Sequence, residues 1–386
     1  MEKLIGHVTH YYNHLGVAVI ILEDELKVGD TLLFLGHTTD LNQIVCSIEV
    51  EHHKLVKARR GMTVAVAVDE PVRIDDKVYK LVEGAENPQN ILIWNEMRRA
   101  LDEIQHTYEP VFSHFMHANG VDDHVIGILL AAVTFDPGTI SPERLQVRGP
   151  YTSTSAWMER LFRAAEKGYL SEPEPGEFRL SRRGQTVTQR LIREAREAMQ
   201  HADPLTYADS RRLAELLRRL VQSSLFTSPP PDTWSIRLAY QLMPVEEPPF
   251  PYIDQALSCL QAYRDDAHLA AWQPSGLSAP ALEALTFIWR GEASSLESIY
   301  DRLAFRGFEL HDYQAAVDDL RQRNLLEGDN SSLQMTAVGK VFRDQVEQDT
   351  NNYFFASWSC LSSADKTELA CLLTTLRNRL SHKTPA

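Results

Sequence analysis

The sequence predicts a multidomain β + α protein, with a small β-barrel followed by two mainly α units in pseudo-two-fold arrangement. Three observations carry this expectation. Short β-branched runs separated by turn residues fill the first 84 positions. Beyond them the chain repeats its own motifs in one order. Each repeat interrupts helical periodicity with one small hairpin.

Residues 4–12, 16–23, 30–36, 42–52, 61–68 and 77–82 read as strands, being short, β-branched and partly alternating. Asn13 to Gly16, Gly29-Asp30, Gly36 to Asp40, Gly61 and Asp75-Asp76 supply the turns. Six short strands in one small domain predict closure, which removes exposed edges. The histidines here (His7, His10, His14, His37, His52 and His53) lack tight ligand spacing, so no metal site is expected, and no cofactor. Arg59 and Arg60, before Gly61, are candidate RNA contacts.

The runs LKVGDTLLFLG and ARRGMTVAVAVDEPVRIDDKVYKL, with GHTTD between them, resemble domain 2 of elongation factor Tu and the short stand-alone bacterial proteins described as elongation-factor-like. The resemblance covers residues 1–83 and implies a translation-factor-type barrel. In that family the barrel touches the ribosome or the tRNA acceptor end, so ribosome or RNA becomes a candidate partner. No G-x-x-x-x-G-K-[ST] loop occurs, so GTP binding is not expected.

The duplication is read from ordered pairings. Leu145-x-x-Arg148-Gly149 recurs as Leu303-x-x-Arg306-Gly307, and Phe178-x-Leu180-Ser181-x-x-Gly184 as Leu333-x-Met335-Thr336-x-x-Gly339. Gly120 pairs with Gly276, Leu205 with Leu361 and Asp209 with Asp365. The domains are therefore expected at 1–84, 85–228 and 251–386, with a Pro-rich crossover at 229–250. The crossover is too apolar for a loose linker and is expected to pack across a unit.

Each unit follows one plan. A long helix comes first, near 88–118 or 250–273. Two short helices follow; in the first unit they start near Asp122 and at Ser141-Pro142, a cap followed by a first-turn proline. A third helix (STSAWMERLFRAAEK or HDYQAAVDDLRQR) precedes a hairpin (YLSEPEPGEFRLS or LLEGDNSSLQMT). Two helices close the unit, the last opening on Thr206-x-x-Asp209 or Ser362-x-x-Asp365.

Helix–helix–helix–wing is a winged helix-turn-helix. With its flanking helices each unit resembles the MarR-type regulators, RLFRAAEKGYLSEP…FRLSRRG being the best local match. The wing EPEPGEF departs from the Asp-x-Arg common in that family. The segment is also similar to an uncharacterised bacterial helix-turn-helix family with phrases like RDDAHLAAW. MarR proteins are homodimers, so the resemblance implies an internal pseudo-dimer and a monomeric protein. It also implies a small-molecule effector pocket beside the first helix, with Trp272 and Trp289 as candidate lining.

The first unit offers a DNA footprint. Thr152, Ser153, Thr154 and Ser155 open its third helix, and Arg160, Arg163, Lys167, Arg179, Arg182 and Arg183 lie on the helix and wing. An ordinary polar helix face is the competing reading, and Glu172, Glu174 and Glu177 dilute the charge. The second unit puts Glu309, Asp312, Asp318 and Asp319 at the equivalent place, which phosphates would repel. Residues 231–386 carry 13 Lys/Arg against 21 Asp/Glu, or −8 of the net −14, so that unit reads as a degenerate partner.

No apolar run approaches the ~18 residues of a membrane span. The N-terminus carries no basic-then-apolar leader, and a cytoplasmic location is expected. Cys46, Cys259, Cys360 and Cys371 form no CxxC pair and are expected as free thiols. Arg264-Asp265-Asp266-Ala267-His268 brings no nucleophile with it, so a salt-bridged helix face is expected rather than catalysis. The resulting expectation is a non-enzymatic nucleic-acid-associated protein, a transcriptional regulator binding DNA through the first winged unit. The alternatives are a translation-associated factor with the winged pair as a scaffold, or a small-molecule-binding protein.

Overall fold

In a computed structural model the chain is described over residues 2–81, 88–228, 230, 233–245 and 247–381. Val82 at the end of the sixth expected strand, the 84/85 boundary, and Pro229, Pro231, Asp232 and Glu246 of the crossover lie outside the described residues.

The N-terminal segment is built of β1 (Glu2–Tyr12), β2 (Val17–Leu22), β3 (Leu26–Lys27), β4 (Thr31–Leu35), β5 (Asp40–Ile44), β6 (Ile48–Val50), β7 (His53–Leu55), β8 (Lys57–Ala58), β9 (Thr63–Ala67) and β10 (Lys77–Leu81). Eight of these form an antiparallel sheet in the order β5-β4-β10-β1-β2-β9-β6-β7, and β3 pairs with β8. The ladder joins no strand to close β5 on β7 among the described residues. One core gathers Ile5, Val8, Ile20, Phe34, Val64 and Val78 with Leu26 and Ala58 of the short pair. The expected strand 42–52 is two strands. At Val45 the chain leaves β4 to exchange hydrogen bonds with Gly29 and Asp30, and β6 then pairs with β9.

The helical segment comprises α1 (Pro88–Asn119), α2 (Asp123–Val133), α3 (Pro142–Arg148), α4 (Thr154–Glu166), β11 (Leu170–Glu174), β12 (Glu177–Leu180), α5 (Arg182–Ala202) and α6 (Tyr207–Phe226). After α7 (Trp234–Tyr240) the same order recurs as α8 (Pro249–Trp272), α9 (Ala279–Trp289), α10 (Leu296–Leu303), α11 (Leu310–Gln322), β13 (Leu326–Asp329), β14 (Ser332–Met335), α12 (Ala337–Ala356) and α13 (Ser363–Ser381). Side-chain caps start many of these helices: Asp122, Ser141, Ser153, Ser278, Ser295 and Thr336 each accept a backbone N–H of the first turn. The repeated glycines have a steric reason. A Cβ on Gly184 would stand 2.0 Å from the Tyr169 carbonyl, and one on Gly339 2.1 Å from that of Leu325. In both repeats the helix after the wing crosses the wing's first strand too closely for any side chain.

By contact the chain divides into two compact units, residues 1–105, 203–219 and 359–386 in one, and 106–202 and 220–358 in the other. In the first, Arg377 of α13 pairs with Asp69 and Glu96 at 3.3 and 3.0 Å, and Arg212 of α6 pairs with Asp365 and Glu368 at 2.9 and 2.7 Å. Cys46 and Cys371 are joined by a disulfide with 5.4 Å between their Cα atoms, against the expectation of free thiols. Residues 325 apart in sequence are thus neighbours in space, which spacing alone does not reveal. Cys259 and Cys360 form no disulfide. In the second unit, α7 lies on α8: Ser235 and Ile236 donate backbone N–H groups to the Asp266 carboxylate at 2.7 and 3.0 Å, so the crossover packs rather than swings.

Candidate nucleic-acid interface

Helix α4 starts where Ser153 Oγ accepts the Ala156 N–H at 3.1 Å. Leu161 and Ala164 turn into the core with Phe178 and Tyr169, and the opposite face carries Glu159, Arg163 and Lys167. The wing is fixed at its base by backbone hydrogen bonds between Ile140 and Phe178, and by Phe162 edge-on to Phe178 at 5.4 Å. Its tip turns at Gly176 (φ +79°), whose N–H donates to the Glu172 carboxylate at 2.8 Å.

The expected footprint separates into three groups. Thr152 and Ser153 are 4% and 7% exposed, so they cannot face base edges as expected. The turn after α10 covers them: the Ser153 N–H donates to the Arg306 carbonyl at 2.9 Å. Arg160, Arg163 and Lys167 are engaged within the protein. Arg160 donates to the Phe305 carbonyl and stacks over Trp157 at 4.9 Å. Arg163 pairs with Asp122 at 2.8 Å and with Glu159. Lys167 donates to the Asn119 carbonyl at 3.3 Å.

Arg179, Arg182 and Arg183 are exposed on the wing and the start of α5, near the end of α4, whereas the exposed Thr154 and Ser155 open that helix at its other end. Arg183 lies over the Tyr169 ring at 5.0 Å, and Arg179 and Arg182 make no ion pair among the described residues. Two cations in the first turn of a helix oppose its macrodipole at a cost of about 0.3–1 kcal/mol each, so folding does not favour them there. In the second repeat the carboxylates are internally matched, Asp318 with Arg321 and Asp319 with Arg323 at 2.9 Å, and Glu309 with Asp312 forms the cap of α11. Arg59 and Arg60 are exposed in the turn before β9.

The expected aromatic pocket is filled. Trp272 is 3% exposed within the core of the second repeat, and Trp289 is covered by Arg343 at 4.7 Å and donates to Asp344 at 2.9 Å. A cavity of about 680 Å³ lies elsewhere, lined by α2, α4, α8 and the turns after α3 and α10. Asp265 of α8 lines it, and desolvation by the surrounding protein pushes its carboxyl up to about 6. Beside it, burial holds His268 down to about 4 and pushes Glu283 up to about 7 despite its partner Arg306. The repeated Leu-x-x-Arg-Gly motif was the sequence signal for this place.

Residues 183–385 match a helix-turn-helix family. Over 80 residues the chain is 39% identical to an uncharacterized protease of Methanocaldococcus jannaschii, covering 20% of each. Over 81 residues it is 36% identical to a collagenase of Porphyromonas gingivalis, covering 20% of this chain and 22% of that one. It therefore spans about a fifth of the length of the curated relatives it matches. Among solved structures, the C-terminal domain of a Geobacillus thermoleovorans protein described as a U32 peptidase aligns at 23% identity and TM-score 0.20, covering 21% of this chain and 93% of that one.

Proposed function

This chain belongs to a helix-turn-helix family, and from that premise we propose a non-enzymatic, monomeric regulator that binds duplex DNA through its first winged unit. The observation that carries the reading is the exposed trio Arg179, Arg182 and Arg183, without ion-pair partners among the described residues, the last two set against the dipole of α5. Their role is to hold phosphates, while Thr154 and Ser155, the latter 2.9 Å from the Ser153 hydroxyl, are the exposed hydroxyls at the start of α4 offered to a groove. The paired carboxylates of the second repeat leave it the supporting partner, as in a MarR-like dimer made within one chain. The N-terminal sheet domain, read as a translation-factor-type barrel, supplies a second contact through Arg59 and Arg60. The protease and collagenase names belong to proteins that this chain matches over about a fifth of either length, and no peptide hydrolysis is proposed for this chain.

The test is fluorescence anisotropy against random and selected duplexes over a salt series. Replacing Arg179 and Arg182 by Ala is expected to weaken binding across all sequences and to lower the salt slope by about two phosphate contacts. Wild-type protein that shows no salt-dependent binding to any duplex would sink the reading.

A further inference from the structure

The repeated motif converges on one place. Arg148 and Arg306 are the equivalent arginines of the two Leu-x-x-Arg-Gly copies, and both line the 680 Å³ cavity. Helices α2 and α9 have the same length, and their caps Asp122 and Ser278 align them position by position. On that alignment Gly127 stands in the first repeat where Glu283 stands in the second. Glu283, 7% exposed, pairs with Arg306 at 2.8 Å and accepts from its Nε at 3.1 Å. In the first repeat the carboxylate is missing. A Cβ on Gly127 would meet no heavy atom within 4 Å, and Arg148 makes no ion pair among the described residues. Space and a guanidinium without an ion-pair partner occur together where the sister repeat holds a carboxylate, the field of Asp265 across the cavity being the nearest compensation.

We propose that this cavity binds a small organic carboxylate, which takes beside Arg148 the place that Glu283 takes beside Arg306. Arg160, whose guanidinium is pressed by burial and by Arg306, adds a second cation to the wall. Asp123 and Asp265 line the same space, so the ligand also carries hydroxyl or amino donors for them. The volume falls within the roughly 300–1,000 Å³ of small-molecule sites.

The test is calorimetric titration of the full chain with gluconate (carboxylate and hydroxyls), acetate (carboxylate alone), glucose (hydroxyls alone) and inorganic phosphate. Gluconate is expected to bind, acetate about tenfold or more weakly by comparison, and glucose not at all. Arg148→Ala is expected to weaken gluconate by about tenfold or more, the scale of one lost charge-assisted hydrogen bond, and Arg148→Lys by less. Gly127→Glu is expected to abolish gluconate binding and raise the melting temperature, the rise vanishing when Arg148→Ala is added. Replacing Arg179 and Arg182 should leave gluconate binding intact, so this site and the DNA interface stand or fall separately. Phosphate binding more tightly than gluconate, unchanged binding in Arg148→Ala, no gluconate binding below about 10 mM, or gluconate binding to Gly127→Glu would each overturn the proposal. Should Gly127→Glu fail to fold, the two Arg148 variants decide.

Discussion

Asp254 of α8 is 8% exposed; the Tyr108 hydroxyl donates to it at 3.4 Å, and the field of Arg196 acts in its favour. Burial outweighs both and pushes its carboxyl up to about 7. A raised carboxyl binds a proton in the folded chain that it has released in the unfolded one, so folding stability falls as pH rises from about 4 to about 7. Asp265 and Glu283 act in the same sense, and His268, held down to about 4, acts in the opposite one. Asp254→Asn is expected to match the wild type at pH 5 and to exceed it at pH 8 by on the order of 2 kcal/mol. Urea midpoints at the two pH values measure this, and an equal or lower midpoint at pH 8 would count against it. At this scale the exposure of Arg179, Arg182 and Arg183 was legible, because it is set by the wing and helix start that carry them. The burial of Thr152 and Ser153 was not, since it is imposed by residues 305 and 306, beyond the reach of local pattern.

Helix ends were legible wherever a polar side chain closes on its own backbone. Ser362 shows this: its Oγ accepts the Asp365 N–H at 3.1 Å, and Asp365 accepts the Ser362 N–H at 3.1 Å in return. Hydrogen bonding by Ser362 and the field of Arg219 hold Asp365 down to about 2. Ser362→Ala should therefore cost about 1 kcal/mol, read from the denaturation midpoint; no change would mean that Asp365 holds the helix start through its arginine pairs alone. The strands were less legible, and residues 42–52 show why. Glu51 and His52 both take positive φ, +48° and +67°, in the two-residue turn between β6 and β7. Such turns announce themselves when Asn-Gly or Gly-Gly fills them, and Glu-His does not. The folded chain imposes that turn because β6 must pair with both β7 and β9.

For the whole molecule the repeated order of elements was legible, because each repeat must bury the same helical faces. The grouping of residues 359–386 with residues 1–105 was not, for it rests on Arg377, Arg212 and one disulfide joining distant segments. Opening that disulfide frees the unfolded chain more than the folded one, so reductant is expected to lower stability by about 2–5 kcal/mol. Cys46→Ser should melt like the reduced wild type; equal melting of oxidised and reduced protein would show that the linkage constrains nothing. The same bond has a topological consequence. Between residues 46 and 371 the polypeptide is a closed covalent ring, and that ring holds all of residues 106–202 and 220–358. One backbone cut anywhere within the ring yields no separate fragments: both pieces remain a single molecule of unchanged mass apart from one added water, until a thiol reductant parts them.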